Sequence, residues 1–324
     1  MTFRSYAEEW RAIQPVRSQT AALVEQQLRT HVYPVLGDRP MGAIRPSEVQ
    51  ALVRRMSDVL APSPLNVVYG RVTAVFAAAV RDRVIAVSPC VDIRRPKGAR
   101  RVDKVLSPAQ VVAIADAVPA HYRALVLTGA GTGLRPGELF GLTVPAVDFL
   151  RRVMLVERQL IRVRGNSGGV ELTELLKTDS SRRVVPLAQV VVDVLAAHLA
   201  EYPPQANLGL VFTGDDGGPI GEQAFGRVWH TARRAVNVPA WSKGPHQLRH
   251  HFASLLIARG ASVKVVQARL GHASARTTLD VYGHLWPDDE DATRAAIDDE
   301  LGAALSGDDT SSGGADSGAT GTGE

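Results

Sequence analysis

The sequence predicts a mainly α-helical protein with a small β-sheet or hairpin, divided into two domains. At roughly 150 residues per domain, a chain of 324 residues has room for two. Apolar residues recur at helical spacing through residues 1–88 and again from residue 188 onward, whereas β-rich runs are confined to residues 144–187. We therefore expect a helical domain at the N-terminus and a mixed α+β domain after it.

Residues 1–90 are predicted to form the helical domain. One helix is expected over Ser18–His31, and a second from Pro46, where the sequence Pro-Ser-Glu is typical of a helix start. A third helix is expected over Val67–Val84, and we expect Pro62–Pro64 to break the chain before it.

A basic linker is predicted at residues 91–103, where positive charge is combined with proline and glycine. The mixed domain is expected over residues 104–290, and its first helix should begin at Ser107 or Pro108. Its strands are predicted at residues 153–156, 160–163 and 182–187. Further helices are predicted at residues 188–200, 221–236, 246–259 and 262–270.

Charge is divided unevenly along the chain. Residues 1–287 contain 36 Lys and Arg against 22 Asp and Glu, a net charge of +14, while residues 288–324 carry −10. A basic body with an acidic tail points to a polyanion such as nucleic acid, although a solvated basic surface would have the same composition. The basic residues expected to contact DNA are Arg54, Arg55, Arg71, Arg94, Arg95, Lys97, Arg100 and Arg101.

The composition disfavours several classes of protein. A single cysteine, Cys90, excludes a disulfide framework and any site built from several thiolates. No run approaches the roughly 18 uninterrupted apolar residues of a membrane span, and the N-terminus is charged from the start. The sequence also lacks the Gly-Lys-Ser/Thr of a nucleotide-binding loop. We expect a cytoplasmic protein without membrane association.

The first candidate functional motif places Arg135 where a glycine-rich turn meets a helix. Pro136 suits the first helical position, and the exposed amides of a helix N-terminus attract anions. Glycine-rich turns before helices are also common in purely structural roles. The motif alone leaves both interpretations open.

The second motif is Pro-His246-Gln-Leu-Arg249-His250-His251, at a predicted helix start. His246 and Arg249 share one helix face, which suits phosphate binding. His246 and His250 have the spacing of a metal-binding pair, but Gln247 stands where a glutamate would be needed, and the intervening arginine would oppose a cation. A structural histidine in a helical turn is the other alternative, and His251 suits either the core or the surface.

Three further residues have ordinary interpretations when each is taken alone. Lys177 lies in a polar turn between two strand-like runs, and His272 follows a glycine as a turn residue would. Tyr282 ends an amphipathic segment in which an aromatic residue would usually pack in a core. Their order along the chain, together with the two motifs above, favours a functional interpretation of all three residues.

In this order, four segments resemble the tyrosine recombinase (phage-type integrase) family: TGLRPGEL, LLKTDSSRRVVPL, HQLRHHFASLLIARG and LGHASARTTLDVYGHL. The resemblance extends over residues 1–290, since TFRSYAEEW and HVYPVLGDRPMGAIRPSEVQALV are similar to the helical core-binding domain of the family. It implies a two-domain tyrosine recombinase architecture, in which the core-binding domain and a mixed α+β catalytic domain close around DNA.

The resemblance also implies the chemistry, which is DNA strand exchange through a covalent 3′-phosphotyrosine intermediate. Tyr282 would be the nucleophile, and Arg135 and Arg249 would clamp the non-bridging oxygens of the phosphate. The full catalytic set that it implies is Arg135, Lys177, His246, Arg249, His272 and Tyr282.

The remaining residues of the set would handle protons and orientation. His246 and His272 would donate to the phosphate oxygens or help to move the Tyr282 proton. The resemblance assigns to Lys177 the protonation of the departing 5′-oxygen, and Glu138 would orient an arginine from behind. Such a site needs no metal and no cofactor.

The partners implied by the resemblance are double-stranded DNA at attachment sites, a homotetramer on two duplexes, and an accessory directionality factor. The amphipathic residues 291–305 are expected to contact a neighbouring protomer or to pack within their own chain. Residues 306–324 form an acidic Gly/Ser-rich tail that is predicted to be disordered. Large phage integrases often carry an arm-binding module before the core-binding domain. Because Met1 lies almost at the start of the core-binding domain here, we expect either that this module is absent or that the true start of the protein lies further upstream.

Two other functions compete with integration or excision of a phage or mobile element. A DNA-binding regulator without catalysis would keep the basic surface but has no need of the full catalytic set. A DNA-relaxing type IB-like topoisomerase would share the tyrosine chemistry but differ in its flanking domains. A metal-dependent nuclease is disfavoured because no carboxylate cluster accompanies the histidines.

Overall fold

The computed structural model of the protein describes residues 1–16, 18–96, 104–162, 169–174, 182–204, 208–286 and 290–306. Within these ranges the protein is mainly helical with two small antiparallel sheets, which confirms the predicted fold class. Most of the predicted linker and residues 307–324 of the predicted tail lie outside the described residues. The same is true of four predicted site residues, which are Lys97, Arg100, Arg101 and Lys177.

The N-terminal domain packs its helices around one apolar core. Its helices are α1 (Phe3–Ala12), α2 (Ser18–Gln27), α3 (Tyr33–Leu36), α4 (Pro46–Ser57) and α5 (Pro62–Arg81). A π-helical turn over Leu28–Val32 joins α2 to α3, so the helix predicted from Ser18 continues beyond its expected end. Leu28, Leu52 and Phe76 are among the fully buried residues of this core.

The expectation that Pro62–Pro64 breaks the chain is wrong, because α5 begins at Pro62. Proline is favoured in the first helical turn, where its missing N–H would have no intrahelical acceptor. By length and composition α5 is also long and apolar enough to cross a membrane. Its apolar face, including Leu65, Val72 and Phe76, is buried in the N-terminal core, as expected of the central helix of a packed domain.

The C-terminal domain begins with α6 (Pro108–Ala117), which starts at one of the two predicted residues, and Ser107 caps its N-terminus. The remaining helices of this domain are α7 (Ala120–Thr132), α8 (Pro136–Phe140), α9 (Gln189–Glu201), α10 (Glu222–Ala235), α11 (His246–Ala258), α12 (Val263–Leu270) and α13 (Ala275–Tyr282). Its strands are β1 (Val147–Asp148), β2 (Val153–Val156), β3 (Arg158–Arg162), β4 (Val170–Glu174) and β5 (Arg183–Pro186).

Two antiparallel sheets lie at one side of this domain. The first has the order β1–β2–β5, with Met154 opposite Val185, and the second pairs β3 with β4, with Leu160 opposite Leu172. Strand β4 was not predicted from the sequence. Along β5 the residues alternate between buried and exposed, so that Arg183 points inward at the first position of the strand.

Helices α11, α12 and α13 enclose a small core of their own, separate from the main core of the C-terminal domain. Phe252, Val266, Leu270 and Tyr282 are buried in it. The C-terminal end of α13 is therefore fixed against α11 and α12, which carry the second motif and the turn before His272.

The C-terminal helix α14 (Glu290–Ser306) presents its apolar residues to solvent. Ile297, Leu301 and Leu305 follow one another at intervals of four residues, so they lie on one helix face, and each is more than half exposed. Packing of this face within its own chain, one of the two alternatives left open by the sequence, is not seen among the described residues.

Candidate active site

Glu138 holds both the backbone and the side chain of Arg135. The Arg135 backbone N–H donates to Glu138 Oε2 over 2.9 Å, and Nη1 donates to Oε1 over 2.8 Å. Arg135 Nη2 donates to the carbonyl of Gly271, which follows α12. Because 38% of the Arg135 side chain is exposed, the guanidinium remains accessible to a ligand on its open side.

The same carboxylate binds a second guanidinium, that of Arg183. Arg183 Nη2 donates to Glu138 Oε2 over 2.7 Å and Nη1 to Oε1 over 3.1 Å, while Nε donates to the carbonyl of Arg269. Burial by itself would raise the pKa of Glu138, but the hydrogen bonds and positive charges of Arg183 and Arg135 outweigh it and hold that pKa below its ordinary value. Glu138 is therefore a buried, ionised carboxylate between the buried guanidinium of Arg183 and the partly exposed one of Arg135.

Arg249 supplies a third guanidinium from α11, and only 2% of the residue is exposed. Its Nη1 donates to the carbonyl of Gly133 over 2.8 Å and its Nη2 to that of Leu270 over 2.6 Å. Burial, followed by the positive charge of Arg135, lowers the pKa of Arg249 to about 9. The group is thus still cationic at neutral pH, and two of its N–H groups donate to these carbonyls.

Two glycines shape the turns that receive these guanidiniums. Gly133 and Gly271 end α7 and α12 in the left-handed conformation, at φ +65° and +64°. A Cβ at Gly133 would lie 2.3 Å from Cδ1 of Phe252, so both the backbone angle and the available space require glycine. The glycines of the two sequence motifs therefore present carbonyl oxygens to Arg249 and Arg135.

His272 stands beside the three guanidiniums. Its Nδ1 lies 2.9 Å from Oγ1 of Thr278, and its backbone N–H donates to the carbonyl of Gln267. Burial, followed by the positive charges of Arg249 and Arg135, lowers the pKa of His272 to about 4. At neutral pH the imidazole is uncharged.

Tyr282 lies at the last position of α13 and is 3% exposed. Its ring is nearly parallel to that of His272, with centroids 6.5 Å apart and an angle of 10°, and it meets the ring of His250 edge to face at 5.5 Å. The ring of His250 in turn meets that of His246 edge to face at 5.0 Å. Tyr282 is also near enough to Arg249 for their charges to interact.

The structure thus brings together five of the six residues predicted to be catalytic. These are Arg135, His246, Arg249, His272 and Tyr282. The sixth, Lys177, falls between β4 and β5, outside the described residues. Glu138 lies behind Arg135, where the sequence predicted an orienting role. With three cationic side chains around one carboxylate, the cluster carries a net positive charge suited to a phosphate.

Sequence reasoning did not select three side chains that the structure places in the cluster. Arg183 was hidden because its neighbour Arg182 is identical, and only the alternation along β5 distinguishes the inward residue. His250 was considered as half of a metal pair rather than as a neighbour of Tyr282. Thr278 had no sequence signal of its own. The sequence left open whether His251 lies in the core or on the surface. The structure places it in the core, where it is buried and contacts the carbonyl of Leu106 through Nδ1.

No group of three or more His, Cys, Asp and Glu side chains with the arrangement of a metal site is found in the described part of the chain. The ring of His246 meets that of His250, and Arg249 lies between the two residues in the sequence. His246 and His250 therefore lie in a cluster of aromatic rings that includes Tyr282.

Of the arginines expected to contact DNA, Arg54 and Arg55 are exposed on α4. Arg94 is exposed at its side chain while its backbone N–H and C=O are both bonded to the Gln50 amide. Arg95 donates to Asn66 and lies over the ring of Tyr69. Arg71 is half-buried on α5.

Two family models match the chain. That of the phage integrase family matches residues 104–288, and that of the phage integrase central domain matches residues 3–96. An integrase of Mycobacterium phage FRAT1 is 28% identical over 287 residues, which cover 86% of this chain and 83% of the relative. A tyrosine recombinase XerD of Corynebacterium glutamicum is 29% identical over 224 residues, covering 65% of this chain and 66% of the relative.

Solved structures share the fold. The Tn1549 transposon integrase in complex with a circular intermediate DNA has a TM-score of 0.80 and 23% identity, covering 93% of this chain and 99% of that one. A lambda integrase dimer bound to a COC′ core site has a TM-score of 0.66 and 18% identity, covering 90% of this chain and all of that one.

We expect the change Glu138→Gln to lower the free energy of unfolding at pH 7 by about 3 kcal/mol, because it leaves the buried guanidinium of Arg183 without its counter-charge. The pKa of Glu138 is lower in the folded protein than in the unfolded chain, where it is about 4.3. The ionised carboxylate therefore stabilises the fold fully at pH values above the unfolded-state pKa, and this stabilisation is lost as the pH falls through the folded-state pKa. The difference between wild type and variant should therefore hold from pH 7 to pH 5 and shrink below about pH 4.

Urea unfolding at several pH values measures this difference. The matched control is Glu174→Gln, which removes an exposed ion pair with Arg182 and should have little effect. A Glu138→Gln variant as stable as wild type at pH 7 would contradict the central role of this carboxylate.

Proposed function

The chain belongs to the phage integrase family of tyrosine recombinases, enzymes that cleave and rejoin DNA at specific sites, and we propose that Tyr282 is its nucleophile. The observation that carries this proposal is the position of Tyr282 between His272 and His250, beside the guanidinium cluster of Arg135 and Arg249. The same convergence speaks against a DNA-binding regulator, which has no use for a buried tyrosine next to a phosphate site.

The proposed reaction conserves the energy of the phosphodiester bond. The phenolic oxygen of Tyr282 attacks the scissile phosphorus, a 3′-phosphotyrosyl bond forms, and the bond to the 5′-oxygen breaks. The Tyr282 proton is lost and the departing 5′-oxygen gains one. A 5′-hydroxyl from a second strand then attacks the phosphotyrosyl bond, releases Tyr282 and completes strand exchange.

Arg135 and Arg249 are proposed to bind the non-bridging oxygens, where negative charge accumulates in the transition state. Both guanidiniums are held by carbonyl or carboxylate acceptors before any phosphate arrives, so little reorganisation is needed on binding. Loss of one such donor group typically costs about 3 kcal/mol of transition-state stabilisation.

Lys177 is proposed as the acid that protonates the 5′-oxygen, a role that rests on its place in the family pattern. It belongs to the segment between β4 and β5, and β5 is anchored to the site through Arg183 and Glu138. His246 is proposed to donate to the phosphate from the start of α11. Glu138 is proposed to orient Arg135 from behind.

The two domains are proposed to close around double-stranded DNA, with residues 1–90 as the core-binding domain, 91–103 as the linker and 104–290 as the catalytic domain. The exposed side chains of Arg54, Arg55, Arg94 and Arg95 are proposed to contact phosphates, and binding of DNA should weaken steeply with salt.

The phage and transposon relatives support integration or excision of a mobile element in a bacterial cytoplasm. An accessory directionality factor remains part of the proposal.

Covalent capture tests the nucleophile. On a nicked duplex carrying the attachment site, the wild type should leave a protein–DNA band on a denaturing gel, because the short leaving strand diffuses away before it can rejoin. Tyr282→Phe should bind the same duplex and leave no band. Tyr202→Phe, at the residue that follows α9, is the matched control and should behave as wild type. A covalent band from Tyr282→Phe would exclude Tyr282 as the nucleophile.

Assembly as a homotetramer on two duplexes is proposed to depend on α14. Its face of Ile297, Leu301 and Leu305 is exposed in the single chain, and burial against a second protomer would remove this apolar surface from water. The lambda integrase structure, which contains a dimer on DNA, supports assembly on the duplex.

Replacing Ile297, Leu301 and Leu305 together by Gln should leave binding of one protomer to a half-site unchanged while reducing paired complexes at least tenfold, since about 1.4 kcal/mol of lost contact already corresponds to a factor of ten. Native gels and light scattering on one- and two-site duplexes measure both. The control replaces Asp298 and Asp299, also on α14, by Asn. Unchanged assembly of the Gln variant would refute the role of this face.

A further inference from the structure

The hydroxyl of Thr278 is the polar group that contacts His272 from the helix that carries the nucleophile. Thr278 Oγ1 lies 2.9 Å from His272 Nδ1, and Thr278 is fully buried. Thr278 precedes Tyr282 by four residues on α13, so the two side chains share one helix face. The contact therefore links the imidazole to the same rigid element that positions Tyr282.

Hydrogen-bond accounting selects one of two arrangements for this contact. In the described structure, His272 Nδ1 is the one hydrogen-bond partner of Thr278 Oγ1. If the hydroxyl donates to Nδ1, its proton is satisfied, and Nε2 carries the hydrogen of the neutral ring. If Nδ1–H donates to Oγ1, the hydroxyl proton is left buried without an acceptor, which is costly. The first arrangement is favoured.

The charges around His272 make this choice matter at neutral pH. The guanidiniums of Arg249, Arg135 and Arg183 and the ring of His246 all disfavour a positive charge on His272, and burial acts in the same direction. The ring is therefore neutral and has one donor and one acceptor nitrogen, rather than two donors. Which nitrogen carries the hydrogen decides whether the ring can donate to the phosphate or accept a proton from Tyr282.

We propose that Thr278 is a positioning residue that holds His272 in the Nε2–H tautomer, so that His272 donates a hydrogen bond to a phosphate oxygen and does not act as the base for Tyr282. The first part concerns the protein without DNA, whereas the second part rests on the proposed function above. The Tyr282 proton then leaves by another route, to solvent or to another group of the site.

The tautomer is measured directly by nitrogen NMR of the full-length protein labelled with 15N-histidine at pH 7. The signal of His272, identified by its loss in His272→Gln, should show a protonated Nε2 and an unprotonated Nδ1. Thr278→Ser keeps the hydroxyl and should keep this pattern. Thr278→Val keeps the shape but removes the donor that holds Nδ1 unprotonated, so the ring should populate both tautomers.

A protonated Nδ1 in the wild type would overturn the proposal, and so would a Thr278→Val spectrum unchanged from wild type. The wild-type spectrum keeps the test decisive even where Thr278→Val fails to fold. Since no DNA is present, this readout stands apart from the strand-cleavage reaction. Absence of covalent capture by the wild type would instead count against the proposed function.

Covalent capture then tests the consequence for the reaction. Thr278→Val should bind the nicked duplex as tightly as wild type but form the covalent complex at least about tenfold more slowly, because a preorganised donor to the phosphate is lost. Thr278→Ser should restore the rate. The dependence of the wild-type rate on pH should show no base with the low pKa of His272, whose charged neighbours are Arg249, Arg135 and Arg183. A Thr278→Val rate equal to wild type would refute donation by His272.

Discussion

The Glu138 carboxylate is the interaction on which the geometry of the site depends. From α8 it binds the guanidinium of Arg135, the residue before that helix, and the guanidinium of Arg183 from β5, and it also accepts the backbone N–H of Arg135. A short helix and a strand that are far apart in the sequence are therefore fixed to each other by one buried charge. Without it, the buried guanidinium of Arg183 would have no counter-charge and would lie near a second cation, Arg135.

Backbone carbonyl oxygens also orient the guanidiniums of the site. The carbonyls of Gly133 and Leu270 receive Arg249, and the carbonyl of Gly271 receives Arg135. Carbonyl oxygens orient a guanidinium without neutralising it, so the cluster keeps its positive charge for a phosphate. This arrangement explains why the glycines of the first and last motifs are as much a part of the site as the arginines beside them.

The sequence predicted the fold class and most helices because apolar periodicity and capping residues are local signals, as at Ser107 before α6. It also selected Arg135, Arg249, His272 and Tyr282, which the structure brings together, since their order along the chain forms a recognisable pattern. Pro62 was misjudged because a proline that opens a helix and one that interrupts the chain look the same locally.

Contacts between distant segments carried no such signal. Arg183 was missed because its role depends on the inward face of β5 and on a carboxylate 45 residues away. Thr278 was missed because its function arises only where α13 meets the turn after α12. These residues orient the groups that the motifs contain, and orientation is a property of the folded chain.

The central claim is that the guanidinium cluster acts on the negative charge of the scissile phosphate. The most direct measurement compares cleavage rates on a phosphate and on a methylphosphonate, in which a methyl group replaces one non-bridging oxygen and removes the charge. The account predicts that Arg135→Ala slows cleavage of the phosphate far more than cleavage of the methylphosphonate, because the latter has no charge to neutralise. Equal losses on both substrates would contradict it.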